Sequence, residues 1–295
     1  MATTTTSARR RPADPEGDRR KRSRPSELNA RDGGGAASGA GRPTDDADDA
    51  DDARGLQDLP CDTMATLLLL RNEFPKGLPM CRFVIKSHIY SVLSDKTTAD
   101  RELDRLTRSR EVLIIKLASD GDDDAVVLRS DYAAAVDAIK RRRSECQRRV
   151  LDWFASSLVG ISPHSYIDER KVEHELRAFL EAIGEDADGF EAFVTLLIQS
   201  GLLKRRAGTS GGYWFSIPNV GVFVRNLVDG RRSLLSLLKR RRRGEILQWE
   251  LEKFKLARSS LGSKYHIRDA IGAGFVESVP TTCGPLLRLS GFRMS

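Results

Sequence analysis

The sequence predicts a mainly helical fold with short β hairpins, an α+β class. Three observations point there. Helix-type apolar spacing gives way to a two-strand hairpin three times between Met64 and Ser290. The last helix before each hairpin carries start and stop cues. The first fifty-seven residues are rich in Arg, Asp, Gly, Ala, Ser and Pro and nearly lack large apolar side chains, so they cannot offset the entropy of ordering. Helices closed by a hairpin outline a winged helix. The expected architecture is therefore three tandem winged-helix domains, 61–143, 144–230 and 231–295, after a disordered tail, 1–60.

The tail contains Arg9–Pro12 (RRRP), Arg19–Pro25 (RRKRSRP) and the acidic run Asp45–Asp52. A dense basic cluster in a flexible arm suits nuclear import, and Arg19, Arg20, Lys21, Arg22 and Arg24 are its candidate residues.

In the first module, Asp62 is the expected cap before Met64–Phe74, and FPKGLP breaks the chain. Cys81–Leu93 reads as a second helix and Thr97–Arg110 as a third, with Thr97 and Asp100 at capping-box spacing. Ala99, Leu103 and Leu106 form its buried stripe, and Arg101, Arg105 and Arg108 line the opposite face. EVLIIKLA and AVVLRS are strands across an acidic turn, after which Asp131 is expected to cap YAAAVDAIKRRR.

The second module repeats this order. Cys146–Val159 is helical. Ser165 and Asp168 give a second capping box before a helix with Val172, Leu176, Phe179 and Leu180 inside. Asp188 caps a third helix faced by Phe190, Phe193, Val194 and Leu197, and Gly201 ends it. GLLKRR and GYWFSIP form the hairpin, and Asn219 begins a linking helix whose inner side carries Leu234, Leu235, Leu237 and Leu238. In the third module RGEILQWELEKF reads as an amphipathic helix, Tyr265–Gly274 as a short recognition-type helix, and FVESVPTT with GPLLRLS as the closing hairpin. A second helix is not evident.

The net charge is +7, yet the first sixty residues hold eleven basic and twelve acidic side chains, so the excess lies in the part expected to fold. That favours an anionic partner such as nucleic acid. The densest cluster is Lys239, Arg240, Arg241, Arg242 and Arg243, preceded by Arg231 and Arg232 and followed by Lys253, Lys255, Arg258, Lys264 and Arg268. These are the candidate DNA-binding residues, since closely set cations grip successive phosphates. Weaker candidates are Arg101, Arg105 and Arg108, where Asp104 offers intrahelical pairing, and Lys204, Arg205 and Arg206. A further basic run is Lys140–Arg143. Tyr213, Trp214 and Phe215 could stack on bases, although strand alternation turns part of that set inward.

Catalytic signals are weak. FVIK (Phe83–Lys86) and GAGFV (Gly272–Val276) imitate kinase fragments, but HRD, DFG and APE are absent, as are GxSxG, HExxH and a Walker A loop. His174 reads as a surface residue and His266 as a structural polar contact. The cysteines at 61, 81, 146 and 283 form no CxxC pair, so neither a metal nor another cofactor is expected and the thiols are read as reduced. The longest aliphatic run, Leu67–Leu70, is too short to cross a bilayer, so no membrane partner is expected.

Three long stretches carry a resemblance: YHIRDAIGAGFVESVPTTCGPLLRLS, FPKGLP…IKSHIYSVLSDKTTADRELDRL and FSIPNVGVFVRNLVDGRRSLLSLLKR. Over Ala65 to Leu289 the chain is similar to the tandem winged-helix repair family misleadingly named serine/threonine-protein kinase 19. The resemblance implies a nuclear protein without catalytic activity that binds double-stranded DNA in transcription-coupled nucleotide-excision repair. It also implies a scaffold joining stalled RNA polymerase II and the Cockayne-syndrome repair factors to general transcription factor IIH. By the same resemblance, DNA is met by Arg240 to Arg243, Lys253 and Lys255. The rival readings are a winged-helix module that binds only protein and an atypical serine/threonine kinase. Monomer and homodimer both remain open.

Overall fold

The computed structural model describes residues 60–117, 123–159, 165–184, 189–206 and 211–291. The basic cluster Arg19–Arg24, the acidic run and the expected cap Asp188 lie outside them. The described residues all belong to one compact unit.

Helix α1 (Asp62–Asn72) leads to strand β1 (Val84–Ile85), α2 (Lys86–Val92), α3 (Lys96–Arg108) and the hairpin β2 (Val112–Lys116) and β3 (Asp124–Leu128). Then come α4 (Arg129–Lys140), α5 (Glu145–Trp153, continued by a π turn), β4 (Tyr166–Ile167), α6 (Glu169–Ile183) and α7 (Phe190–Gln199). The hairpin β5 (Leu203–Arg205) and β6 (Tyr213–Phe215) follows. Last are α8 (Val220–Lys239), β7 (Glu245–Leu247), α9 (Gln248–Glu252), α10 (Ser263–Gly272), β8 (Val276–Val279) and β9 (Leu286–Leu289).

The strands make three antiparallel three-stranded sheets, β1-β3-β2, β4-β6-β5 and β7-β9-β8. In each, a strand of two or three residues from before a helix adds to the inner strand of the later hairpin. These short strands depart from the sequence expectation. Cys81–Leu93 is not one helix, because Val84 and Ile85 pair with Val126 and Ala125 before α2 begins. RGEILQWELEKF is likewise not one helix. Glu245–Leu247 pairs with Leu286–Arg288, and only Gln248–Glu252 is helical. The helix that had no counterpart before the third hairpin is therefore α9. The linking helix α8 runs through position 231 and supplies the first helical layer of that region, with Leu234 and Leu238 buried.

Local capping follows the expected chemistry at shifted positions. Helix α3 is capped by Asp95, whose carboxylate accepts from the Thr97 and Thr98 amides, so Thr97 and Asp100 do not form a box. Ser144 with Gln147 is the capping box of α5. Helix α6 follows Asp168 with no side-chain cap, so Ser165 and Asp168 form none. Asp131 lies inside α4 and instead takes a bidentate bond from Arg71, with Nη2 to Oδ1 at 2.6 Å. Gly201 sits past the end of α7 at φ +73°, as its terminating role requires.

Apolar burial ties the sheets together. Phe74, Phe83 and Phe223 form an aromatic trio with centroid distances of 5.0, 6.0 and 4.7 Å, so α8 is anchored on the first sheet's layer. Helix α10 packs on α2, and Tyr265 meets His88 at 4.2 Å.

Candidate nucleic-acid interface

The basic run stands where α8 ends. Lys239 to Arg243 occupy its last turn and the 3-10 turn beyond, where cations oppose the negative end of the helix dipole. Arg243 and Gly244 both take left-handed backbone, φ +63° and +66°, and swing the chain into β7. Gly244 is buried, and a Cβ there would stand 3.3 Å from Leu289 Cδ1. This reversal puts Lys239, Arg240, Arg242 and Arg243 in solvent. A groove of about 550 Å³ joins Arg240 and Arg241 to Lys255 across Ser233, Ser236 and Leu237. Lys253 and Arg258 are exposed as well, Arg258 in left-handed backbone at φ +61°.

Ion pairing divides the candidate set. Arg241 is half-buried and bonds Glu250 at 3.0 Å. Lys264 is exposed but lies 3.7 Å from Glu252. Arg268 is half-buried and paired with Glu73, which ties α10 to the end of α1. Among the described residues, Lys239, Arg240, Arg242, Arg243, Lys253, Lys255 and Arg258 make no ion pair. Arg231 is a correction to the basic cluster. Burial works against its charge, yet hydrogen bonds to Asp269 and Asp123 hold its pKa above the ordinary value. It is an internal cation with no phosphate to meet.

Helix α10 stands directly before the closing hairpin, with Lys264 exposed on it. His266, Ile267, Asp269, Ala270 and Gly272 are buried, and the helix packs on α2. Its inner face cannot enter a groove of DNA. His266 is the structural polar contact expected, with Nε2 2.7 Å from Ser259 Oγ.

The weaker candidates scatter. Arg101, Arg105 and Arg108 are exposed opposite the buried Ala99, Leu103 and Leu106, with Arg108 3.8 Å from Asp104. Lys204 and Arg205 are exposed on β5. Arg206 lies over Tyr166 and Trp214, 4.4 and 5.3 Å from the ring centres. Trp214 is the outward member of its strand, between buried Tyr213 and Phe215. In the Lys140–Arg143 run, Lys140 is held by Asp137 and Asp152. Lys86, the kinase-like lysine, bonds Asp100 at 2.8 Å, and Gly272 is a packing contact, not a phosphate loop.

Sequence reasoning missed the buried polar group where α2, α8 and α10 meet. Ser87 Oγ donates to Asp269 at 2.8 Å, Arg231 bridges Asp269 and Asp123, and His88 and His266 lie nearby. The only signal was adjacency of polar residues to helical stripes. Burial, then the cations Arg268 and Arg231 and the neighbouring imidazole, push His88 down to about 3. Burial likewise pushes His266 down to about 4. Both stay neutral in the folded protein but take protons near 6.5 once unfolded. The stability they contribute is thus whole above pH 6.5 and is lost as pH falls from there towards 4 and 3. Urea midpoints measured from pH 7.5 to 4.5 are expected to decline below 6.5 with a linkage slope approaching about two protons. A flat profile would contradict the neutral pair.

Among the described residues no helix is long and apolar enough to cross a membrane, and no group of three His, Cys, Asp or Glu could hold a metal.

Comparison with known proteins places this chain in a family. Residues 53–289 match the family described as "Inactive serine-threonine protein kinase 19". "Winged helix repair factor 1" of Xenopus laevis is 32% identical over 226 residues, 76% of this chain and 80% of the relative. The Homo sapiens protein of that name is 29% identical over 248 residues, 79% and 88% of the two chains. The Mus musculus protein is 32% identical over 222 residues, 73% and 81%. With the match running through all three sheets, the chain belongs to the inactive serine-threonine protein kinase 19 family.

Proposed function

We propose that this chain is a nuclear, non-enzymatic DNA-binding scaffold of DNA repair, built as three winged-helix units in series. One observation carries the reading. Lys239, Arg240, Arg242, Arg243, Lys253 and Lys255 are exposed without ion pairs among the described residues, and a groove joins Arg240 to Lys255. Unneutralised cations clustered on one surface bind a duplex by releasing its counterions and read little sequence. The covering of α10 by α2 agrees with backbone binding in place of base readout. The name shared by the relatives supports a repair role for this one. Within repair, the resemblance favours the transcription-coupled excision pathway, with the other two units meeting RNA polymerase II, Cockayne-syndrome factors and general transcription factor IIH.

Duplex binding measured between 50 and 200 mM salt tests this. Changing Arg240, Arg242 and Arg243 together to alanine is expected to weaken binding for every sequence and to flatten the log–log salt slope by about 0.9 for each phosphate no longer neutralised. Unchanged affinity and slope would leave the protein-only reading, in which these cations meet acidic protein segments.

A further inference from the structure

Beside the phosphate-facing cations stands an aromatic side chain that the core does not use. Trp249, on α9, is 49% exposed. The other two tryptophans are spoken for. Trp153 is buried against Phe179, and Trp214 is half-buried between Tyr166, Arg206 and Lys116. Trp249 is held firmly all the same. Leu251 is fully buried beneath α9, and the Gln248 amide donates to the Pro285 carbonyl at 2.9 Å. Gly284, in the β8–β9 turn, lies against the indole edge, where an added Cβ would be 3.8 Å from Cδ1. Lys253 lies over the ring, its ammonium 4.5 Å from the centroid. A second exposed ring, Phe254, has Arg241 over it at 5.4 Å.

Position gives this arrangement its meaning. Strand β7 is three residues long, so α9 begins roughly 10 Å beyond Gly244. A backbone gripped by Arg240, Arg242 and Arg243 thus has a half-exposed indole within a few nucleotides. A paired base keeps its faces inside the duplex stack and has nothing to offer that ring. An unpaired base has a free face.

We propose that Trp249 is a stacking site for an unpaired base, so that the third sheet's region binds the junction between duplex and single-stranded DNA. This rests on the phosphate-binding reading above and sharpens it. Lys253 would neutralise the phosphate next to the stacked base while staying against the indole. Stacking of this kind is indifferent to base identity, because every base has a π face.

The test uses the full chain and three fluorescent DNAs: a blunt duplex, the same duplex with a five-nucleotide 3′ or 5′ overhang, and the overhang made of abasic residues, which keeps the phosphates and removes the bases. The overhang is expected to bind about five- to tenfold tighter than the other two and to quench tryptophan emission. Trp249→Ala should abolish that preference and leave blunt-duplex affinity unchanged. Trp249→Phe should keep the preference and lose the quenching, which separates stacking from a folding defect. Equal binding of the overhang and abasic DNAs, or a preference that survives Trp249→Ala, overturns the proposal while blunt-duplex binding keeps the phosphate reading standing. Failure of all three DNAs to bind overturns both.

Discussion

Gly272→Ala is expected to destabilise the protein by on the order of 3 kcal/mol, the upper range for forced overpacking. A Cβ on Gly272 would stand 1.6 Å from the carbonyl oxygen of Ser87, which is backbone and cannot rotate aside. Helices α2 and α10 must therefore separate. Separation strains the Ser87 to Asp269 hydrogen bond and the Tyr265 to His88 ring contact together. For a folded part of this size the shift in Tm is roughly 6–12 °C. Gly274→Ala is the control. It sits at φ +77° with nothing within 4 Å, so only backbone strain of roughly 1–2 kcal/mol is expected. Equal losses in the two variants would mean that α2 and α10 are not in close contact in solution.

The elements legible in the sequence were those whose information is local. The α3 stripe of Ala99, Leu103 and Leu106, the stop at Gly201 and the hairpin around Cys283 and Gly284 all follow from spacing and turn chemistry. The strands β1, β4 and β7 were not legible. Two or three residues show no alternation, and Phe83-Val84-Ile85 reads as one apolar run with the helix after it. Their strand character comes from partners as distant as Trp214 for Tyr166.

The candidate interface divides in the same way. Exposure of Lys239, Arg240, Arg242 and Arg243 could be anticipated, because an uninterrupted cationic run has few ways to be buried. The pairing of Arg231 with Asp123 and of Arg268 with Glu73 could not, since those partners are 108 and 195 residues away. Nor could the burial of α10, which depends on a glycine meeting a serine carbonyl across most of the chain.

Asp269→Ala is expected to cost about 3–5 kcal/mol, the range for removing one partner of a buried ion pair. Asp269 has no exposed surface and accepts from Ser87 Oγ and from both Nε and Nη2 of Arg231. Alanine would orphan the serine hydroxyl and leave the guanidinium, 16% exposed, with Asp123 alone. Much of the loss comes from the charge left behind, so the second substitution should have the opposite sign. Arg231→Met added to Asp269→Ala is expected to recover a substantial part of the stability, because a thioether has no charge to solvate. Asp123 is 23% exposed and can turn to water when its partner goes. Chemical denaturation of the two single variants and the double gives the coupling directly. Additive losses would show that Arg231 and Asp269 do not act as a pair, and that α8 and α10 are joined by apolar packing alone.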